Sequence, residues 1–406
     1  MAVGSLFEHM QHEASGSPAN DGQALFTGRR YQFAIQCYNK AISALMKRLE
    51  QSDSCEDIAL LTCILFICVE FLQGNEVEAL ALCAKGSKVL QSVPNPECRL
   101  GTAEIAQRKS NISMVMEDVN PIFTRLAILS NLFGQPIETT RPALVLTEPP
   151  PPELSFSLHG LTEARDALYN LMDMCQEVLK AALLRKWAPD NASIEHDTLF
   201  MHQQRMLLNL DNWCEAFATL DCSRDHAAVH SDVHACTLLR TYYLSTYIWI
   251  YTCLDECETA YDSHMDKFTS IITLSESLLV KGAVGDALPH FTFEMGLIPP
   301  LSFTAINCRH PLLRRKAVAL LRQGPRREGL WDAEPVARVA ERVIELEENN
   351  LKAGTDGWPE ERDRVHDVAI SQRVVTSQHR GYPVQFRLRP WGLDMDFSYI
   401  EEFISI

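Results

Sequence analysis

Four consecutive prolines, Pro149 to Pro152, constrain this chain more than any other feature. Each fixes φ and lacks an N–H, so neither a helix nor an inner strand can run through them. An extended, polyproline-like segment is the remaining option. It lies within a broader Pro-containing stretch, residues 134–157, and helical periodicity resumes on both sides of it. The chain therefore reads as a helical half over residues 1–133, a connector over 134–157, a second helical half over 158–380, and a terminal segment over 381–406. The expected class is all-α, a multi-helix bundle or solenoid-like body with a Pro-rich central connector and one short C-terminal strand in VQFRLRP.

The helices follow from spacing. In QALFTGRRYQFAIQCYNKAISALMKRLE, residues 23–50, Phe33, Cys37, Ala41, Ala44 and Leu45 keep a helical period, which predicts a long amphipathic helix. The longest apolar run, Ile58 to Val69, is far short of the ~20 residues that span a bilayer and reads as a buried core helix. Gly74-Asn75 then predicts a turn into a further helix over EVEALALCAKGSKVLQSV, packed antiparallel on the one before. Amphipathic stretches follow over residues 112–133, 161–187, 196–220, 228–257 and 261–280. Beyond residue 281, short helices alternate with Pro, Gly and Arg. The last stretch, GLDMDFSYIEEFISI, alternates acidic with bulky apolar residues, the composition of disordered activation segments, and reads either as one of those or, preferably, as a terminal helix docked through Phe397, Ile400 and Phe403 or Ile404.

Composition excludes whole classes. Hydrophobic residues at 46% and charged residues at 22% describe a chain with enough apolar matter for a core, which argues against general disorder. A formal charge of −16 opposes a nucleic-acid backbone. The first residues lack the basic and apolar regions of a secretory signal, so an intracellular protein is expected. Most of the 13 cysteines, among them Cys63, Cys68, Cys83, Cys175 and Cys253, sit in apolar helical stretches and read as free thiols packed as small hydrophobes.

Catalytic signatures are absent from the sequence: no GxSxG, GxxxxGK[ST] or HExxH occurs. No catalytic, cofactor-binding or metal-ligating residue is assigned. His226, His230 and His234, spaced to share a helix face, come nearest to a metal site. The first and last would stand about 12 Å apart at the helical rise, too far for one tetrahedral ion, so they read as a polar face. The basic stretch NCRHPLLRRKAVALLRQGPRREGLWD reads as a helix with Leu312, Leu313, Ala317, Leu320 and Leu321 on its apolar face and a charged outer face. Pro299-Pro300 should end or kink a helix begun at Phe291, Pro311 should start the next, Gly324-Pro325 should stop it, and Trp331 should anchor the loop that follows.

Two long blocks carry a resemblance. One is FAIQCYNKAISALMKRL followed by ALLTCILFICVEFLQGNEVEALALCAKGSKVL; the other is FTFEMGLIPPLSFTAINCRHPLLRRKAVALLRQGPRREGLWDA. In its buried helix, Gln-Gly-Asn turn, Pro-Pro-Leu helix, Cys-Arg-x-Pro turn and Arg-Arg-Glu-Gly-x-Trp-Asp segment, the chain resembles the central regulatory domain of fungal zinc binuclear cluster (Zn2Cys6) transcription factors. The blocks bracket about residues 24–350, and VQFRLRPWG is similar to a strand found near the C-termini of that family.

The resemblance implies a transcriptional regulator in the nucleus, with the transcription machinery or other regulators as partners and room for a small-molecule effector and for a dimer. The family's DNA reader is a C-x2-C-x6-C cluster, and this sequence contains no C-x2-C. No direct DNA binding by this chain and no membrane contact are expected. The opening MAVGSLFEHM is similar to an early helix of the family entered from inside, so the start is expected to be internal to the family's domain. The alternative is a tetratricopeptide-like interaction scaffold. Ala34 and Ala79, its equivalent alanines, lie 45 residues apart, against a repeat of about 34.

Overall fold

The computed structural model describes residues 3–7, 29–51, 56–92, 119–132, 146, 150–187, 194–220, 230–282, 291–351, 357–376 and 380–405. They form two compact units: residues 1–143 with 289–295 and 327–330, and residues 144–288 with 296–326 and 331–406.

The first unit is built on α1 (Arg29–Gln51), α2 (Glu56–Gln73) and α3 (Glu76–Ser92), with a further helical segment over residues 119–132. The Gln-Gly-Asn turn joins α2 to α3. Gly74 sits at φ 71°, the left-handed conformation that ends helices at lowest cost for glycine. Its N–H bonds the Phe71 carbonyl at 3.1 Å, and the Asn75 amide reaches Glu70 Oε2 at 2.7 Å. Glu70 is buried, and its other oxygen accepts from Tyr38 of α1 at 2.7 Å. Gly86 lets α3 approach the 119–132 segment: a Cβ there would lie 2.3 Å from the Phe123 ring. The apolar run 58–69 is helical, but its burial is one-sided. Leu60, Phe66, Ile67 and Val69 are buried, whereas Leu61 and Leu65 remain 52% and 55% exposed, one turn apart on the outer face. Two short strands, β1 (Phe291–Thr292) and β2 (Arg327–Glu328), pair in parallel in this unit.

In the second unit, α4 (Leu161–Trp187), α5 (His196–Thr219) and α6 (His230–Thr252) pack side by side. They are followed by α7 (Met265–Gly282), α8 (Ile298–Asn307), α9 (Pro311–Gln323) and α10 (Ala333–Glu348). Trp213 of α5 is fully buried, donates to the Ala164 carbonyl of α4 at 2.9 Å, and stacks on Phe217 and on Tyr243 of α6. Residues 150–159 form neither helix nor strand, and α5 clamps them: Asn209 Oδ1 accepts from the Leu154 N–H at 2.9 Å, and Asn212 donates to the Leu154 carbonyl at 3.0 Å.

Three sequence expectations are corrected here. Phe291 starts a strand, not a helix, and Pro299-Pro300 open α8 instead of ending a helix, because a proline in the first turn forfeits an N–H that has no intrahelical partner anyway. On α9, Pro311 does take the first position, with His310 Nδ1 capping the Leu312 and Leu313 N–H groups, and Gly324 follows the last residue. Its apolar face is nevertheless rotated: Leu312 is 74% exposed, while Arg314 is wholly buried beside Ala317, Leu320 and Leu321.

The C-terminal region is the third correction. In place of one short strand and a terminal helix, β3 (Val365–Ile370), β4 (Val374–Val375), β5 (Arg380–Leu388) and β6 (Ser398–Ser405) form an antiparallel sheet. One face packs Val365, Tyr382, Val384 and Phe386 on Val339 and Val343 of α10, with Ile400 and Ile404 at its margin. The fold is mostly helical with small sheets, not all-α.

A buried ionic cluster holds the second unit together. Glu347 Oε1 accepts from Arg309 Nε and Nη2 at 3.2 and 3.1 Å and from the Val365 N–H at 2.9 Å, while Oε2 accepts from Arg314 at 2.7 Å. Arg309 also reaches Glu258, which pairs with Lys186 at 3.0 Å. Three other cations of the basic stretch are likewise neutralised: Arg315 by Glu348, Lys316 by Glu276 at 2.6 Å, and Arg322 by Glu334 and Glu341.

His366 lies within this cluster, its ring 3.6 Å from Glu258 and 3.4 Å from Glu361. Burial, reinforced by Lys186, pushes its pKa down from 6.5 to about 4. A base with a lowered folded pKa binds more protons when unfolded. Stability is therefore complete above 6.5 and falls as pH drops from there toward about 4. Urea midpoints measured across that window should decline, and His366→Phe should lessen the decline, leaving the parts contributed by His234 and His264, which burial also lowers. An unchanged slope in the variant would assign the loss to other groups.

Candidate functional site

Within the second unit, α5 and α6 wall an open groove of about 600 Å³. Helical spacing builds both walls. Phe200, Gln204, Leu207, Leu208 and Asp211 recur every three or four residues along α5, and Tyr247 and Tyr251 stand one turn apart on α6. His196, Leu254 and Asp255 close one end.

The α6 wall is an aromatic ladder. Ring centroids lie 5.8 Å apart between Trp213 and Tyr243, 5.9 Å between Tyr243 and Tyr247, and 6.3 Å between Tyr247 and Tyr251. Tyr251 meets His264 edge-on at 4.6 Å, and Lys267 sits 5.2 Å from the centre of the Tyr247 ring. Gln203 holds the end of the ladder by donating to the Ile250 and Tyr251 carbonyls at 2.9 and 2.8 Å, where α6 runs out of its own donors.

Phe200, Leu208 and Tyr251 are exposed although large and apolar. Two carboxylates interrupt this surface. Asp211 accepts from the Tyr243 hydroxyl at 3.2 Å, and burial raises its pKa against that hydrogen bond. Burial also raises Asp255, opposed by Lys186. Burial likewise raises Tyr243 and Tyr247, which stay neutral hydroxyls. The lining thus mixes aromatic and aliphatic side chains with the polar ones of His196, Gln203, Gln204, Asp211 and Asp255. No nucleophile, base and orienting group are brought together in the groove.

Among the candidates from sequence, His234 is exposed on α6; His230 begins that helix, and His226 lies outside the described residues. Among the described residues, no three His, Cys, Asp or Glu side chains are grouped as metal ligands would be. Cys83, Cys175 and Cys308 are buried free thiols, and burial pushes Cys63, Cys68 and Cys308 up to about 11 and Cys253 up to about 12. Such thiols remain protonated and inert at neutral pH. Cys236 departs from the free-thiol expectation, being disulfide-bonded. No helix of the described residues is long and apolar enough to cross a membrane.

The groove itself escaped sequence reasoning. Its signal was present in the i, i+4, i+8 tyrosines 243, 247 and 251, which alone are indistinguishable from an ordinary packed face.

No family model matches the chain, and no solved structure matches it. It is similar to the aspercryptin biosynthesis cluster-specific transcription regulator atnN of Emericella nidulans, at 22% identity over 89% of this chain and 68% of that protein. Over most of its length, the chain is thus related to a fungal transcription regulator.

Proposed function

We propose that this chain is a nuclear transcriptional regulator of the zinc binuclear cluster class, that it works through effector or protein contacts and neither reads DNA by itself nor catalyses a reaction, and that the α5–α6 groove seats the effector. The observation that carries the reading is a likeness to a transcription regulator spread over 89% of the chain, so both units share it. Two features agree with it. The charge of −16 opposes DNA, and the basic stretch spends Arg309, Arg314, Arg315, Lys316 and Arg322 on carboxylates of its own unit.

The test fuses the chain to a heterologous DNA-binding domain above a reporter gene. Reporter output should change when the fusion is present, and Phe200→Ala with Tyr251→Ala, two exposed groove residues, should change that output several-fold while thermal stability is kept. An inert fusion would favour the scaffold reading. Sequence-specific DNA binding by the unfused chain at physiological salt would refute the claim that it does not read DNA.

A further inference from the structure

The C-terminal sheet ends in a strand whose outer side is open. Pro383 shows which polar groups face that side. The Pro383 carbonyl accepts from the Ser371 N–H at 2.9 Å, so residue 383 directs its backbone groups away from β6. In an antiparallel pair, opposed residues alternate between bonded and non-bonded. Pro383 opposes Phe403, so the bonded pairs are Tyr382 with Ile404, Val384 with Glu402, and Phe386 with Ile400. The intervening Tyr399 and Glu401 must then turn their N–H and C=O groups outward, where no strand of the described residues pairs with them. Arg338 marks the end of this edge by donating to the Ser405 carbonyl at 2.6 Å.

An open edge of this kind is a template for an added strand. Its side chains specify what can be added. Tyr399 and Glu401 project from the outer face, both exposed, whereas Ile400 belongs to the apolar face on α10. Arg342 neutralises Glu402 through two bonds of 2.7 Å, but Glu401 accepts only from the uncharged Gln385. Asp394 and Asp396, also exposed, precede the strand, and residues 391–406 contain no Lys or Arg.

A second copy is a poor occupant. Two-fold antiparallel pairing keeps the two faces of the sheet, so a centred register must place Glu401 opposite Glu401 or Glu402 opposite Glu402, and like charges directly opposed destabilise a strand pair.

We infer that the outer edge of β6 docks an extended basic segment of a partner protein as an additional strand. Its Lys or Arg side chains lie on the outer face against Glu401, beside the Tyr399 ring that Arg387 covers at 5.5 Å, and its alternate apolar residues continue the row of Ile400. This inference stands apart from the groove and from the regulatory reading, since it rests on the sheet alone.

Fluorescence anisotropy of the full chain with labelled synthetic peptides tests it. A peptide of alternating valine and lysine should bind, and one of alternating valine and glutamate should bind about tenfold or more weakly. The valine–lysine peptide N-methylated at alternate residues keeps its charge but cannot pair through its backbone, and should not bind. Glu401→Lys, at an exposed position, should fold normally and reverse the preference between the two charges. Equal binding of the N-methylated peptide would overturn strand addition, and equal binding of both charges would overturn the stated chemistry. A concentration-dependent dimer abolished by Glu401→Pro would make a second copy the occupant and overturn the proposal likewise.

Discussion

Glu347→Ala should destabilise the second unit by about 3–5 kcal/mol, the cost of removing one member of a fully buried charge pair. Glu347 is inaccessible to solvent, as are the Arg309 and Arg314 side chains that donate to it. Removing the carboxylate strands the Arg314 guanidinium and the Val365 N–H, and leaves Arg309 with Glu258 as its one carboxylate partner, in an interior that cannot rehydrate them. At about 1.4 kcal/mol per tenfold change, the folded population relative to the unfolded one falls by at least a hundredfold. Urea denaturation followed by near-ultraviolet circular dichroism reads the loss. Glu347→Gln should also be severe, because it keeps the volume and loses the charge. Replacing Glu347, Arg309 and Arg314 together by apolar residues should recover much of the stability, since the penalty comes from the unpaired charge.

The same carboxylate makes an acid-lability statement. Burial alone would raise the Glu347 pKa, but Arg309 and Arg314 outweigh it and hold the group below the usual carboxylate range. A carboxylate depressed on folding stabilises the folded state above its unfolded pKa, and the stability is lost as pH falls through the folded value. This loss therefore follows the one from His366 on acidification, and Glu347→Gln should diminish the later phase, to which the lowered Glu334 and Glu341 also contribute, while leaving the earlier one.

Trp213→Ala should have the second largest effect, about 3–5 kcal/mol for emptying a fully buried indole site. This indole bonds α4, stacks on Phe217 and touches Tyr243, so three helices lose their common filler. For a unit of this size the midpoint of thermal unfolding should fall on the order of 10 °C. Because Trp213 stacks on Tyr243 at the start of the aromatic ladder, the groove wall should also loosen in the fraction that stays folded. A small thermal shift with an intact near-ultraviolet signal would mean that neighbouring rings collapse into the space.

Much of the secondary structure was legible because helical burial leaves a period in the sequence. Residues 161–187 were bounded correctly by periodicity alone, as was the Gly74 turn, where chemistry is local. Errors arose where a residue's environment is decided by distant partners. Arg314 was assigned to a charged outer face, yet Glu347 on another helix draws it inward and turns Leu312 to solvent. Ile400, Phe403 and Ile404 fit a docked helix as well as a strand by spacing. Pairing with β5 decided the matter, because strand preference depends on neighbours more than on the segment itself.

The sequence by itself determined the largely helical character, the break in helix at the proline segment, the turn at Gly74, the start of α9 at Pro311, and an acidic charge at odds with DNA. Each follows from a property carried within a few residues: a fixed φ, a missing N–H, a repeat of apolar side chains, a count of charges. Only the tertiary structure decided that Arg309 and Arg314 are buried around Glu347, that two tyrosines and a phenylalanine help wall a groove, and that residues 398–405 form a strand with no further strand of the described residues on its outer side. Those outcomes require groups far apart in the chain to meet, and the desolvation and pairing energies that select among the alternatives do not exist until they do.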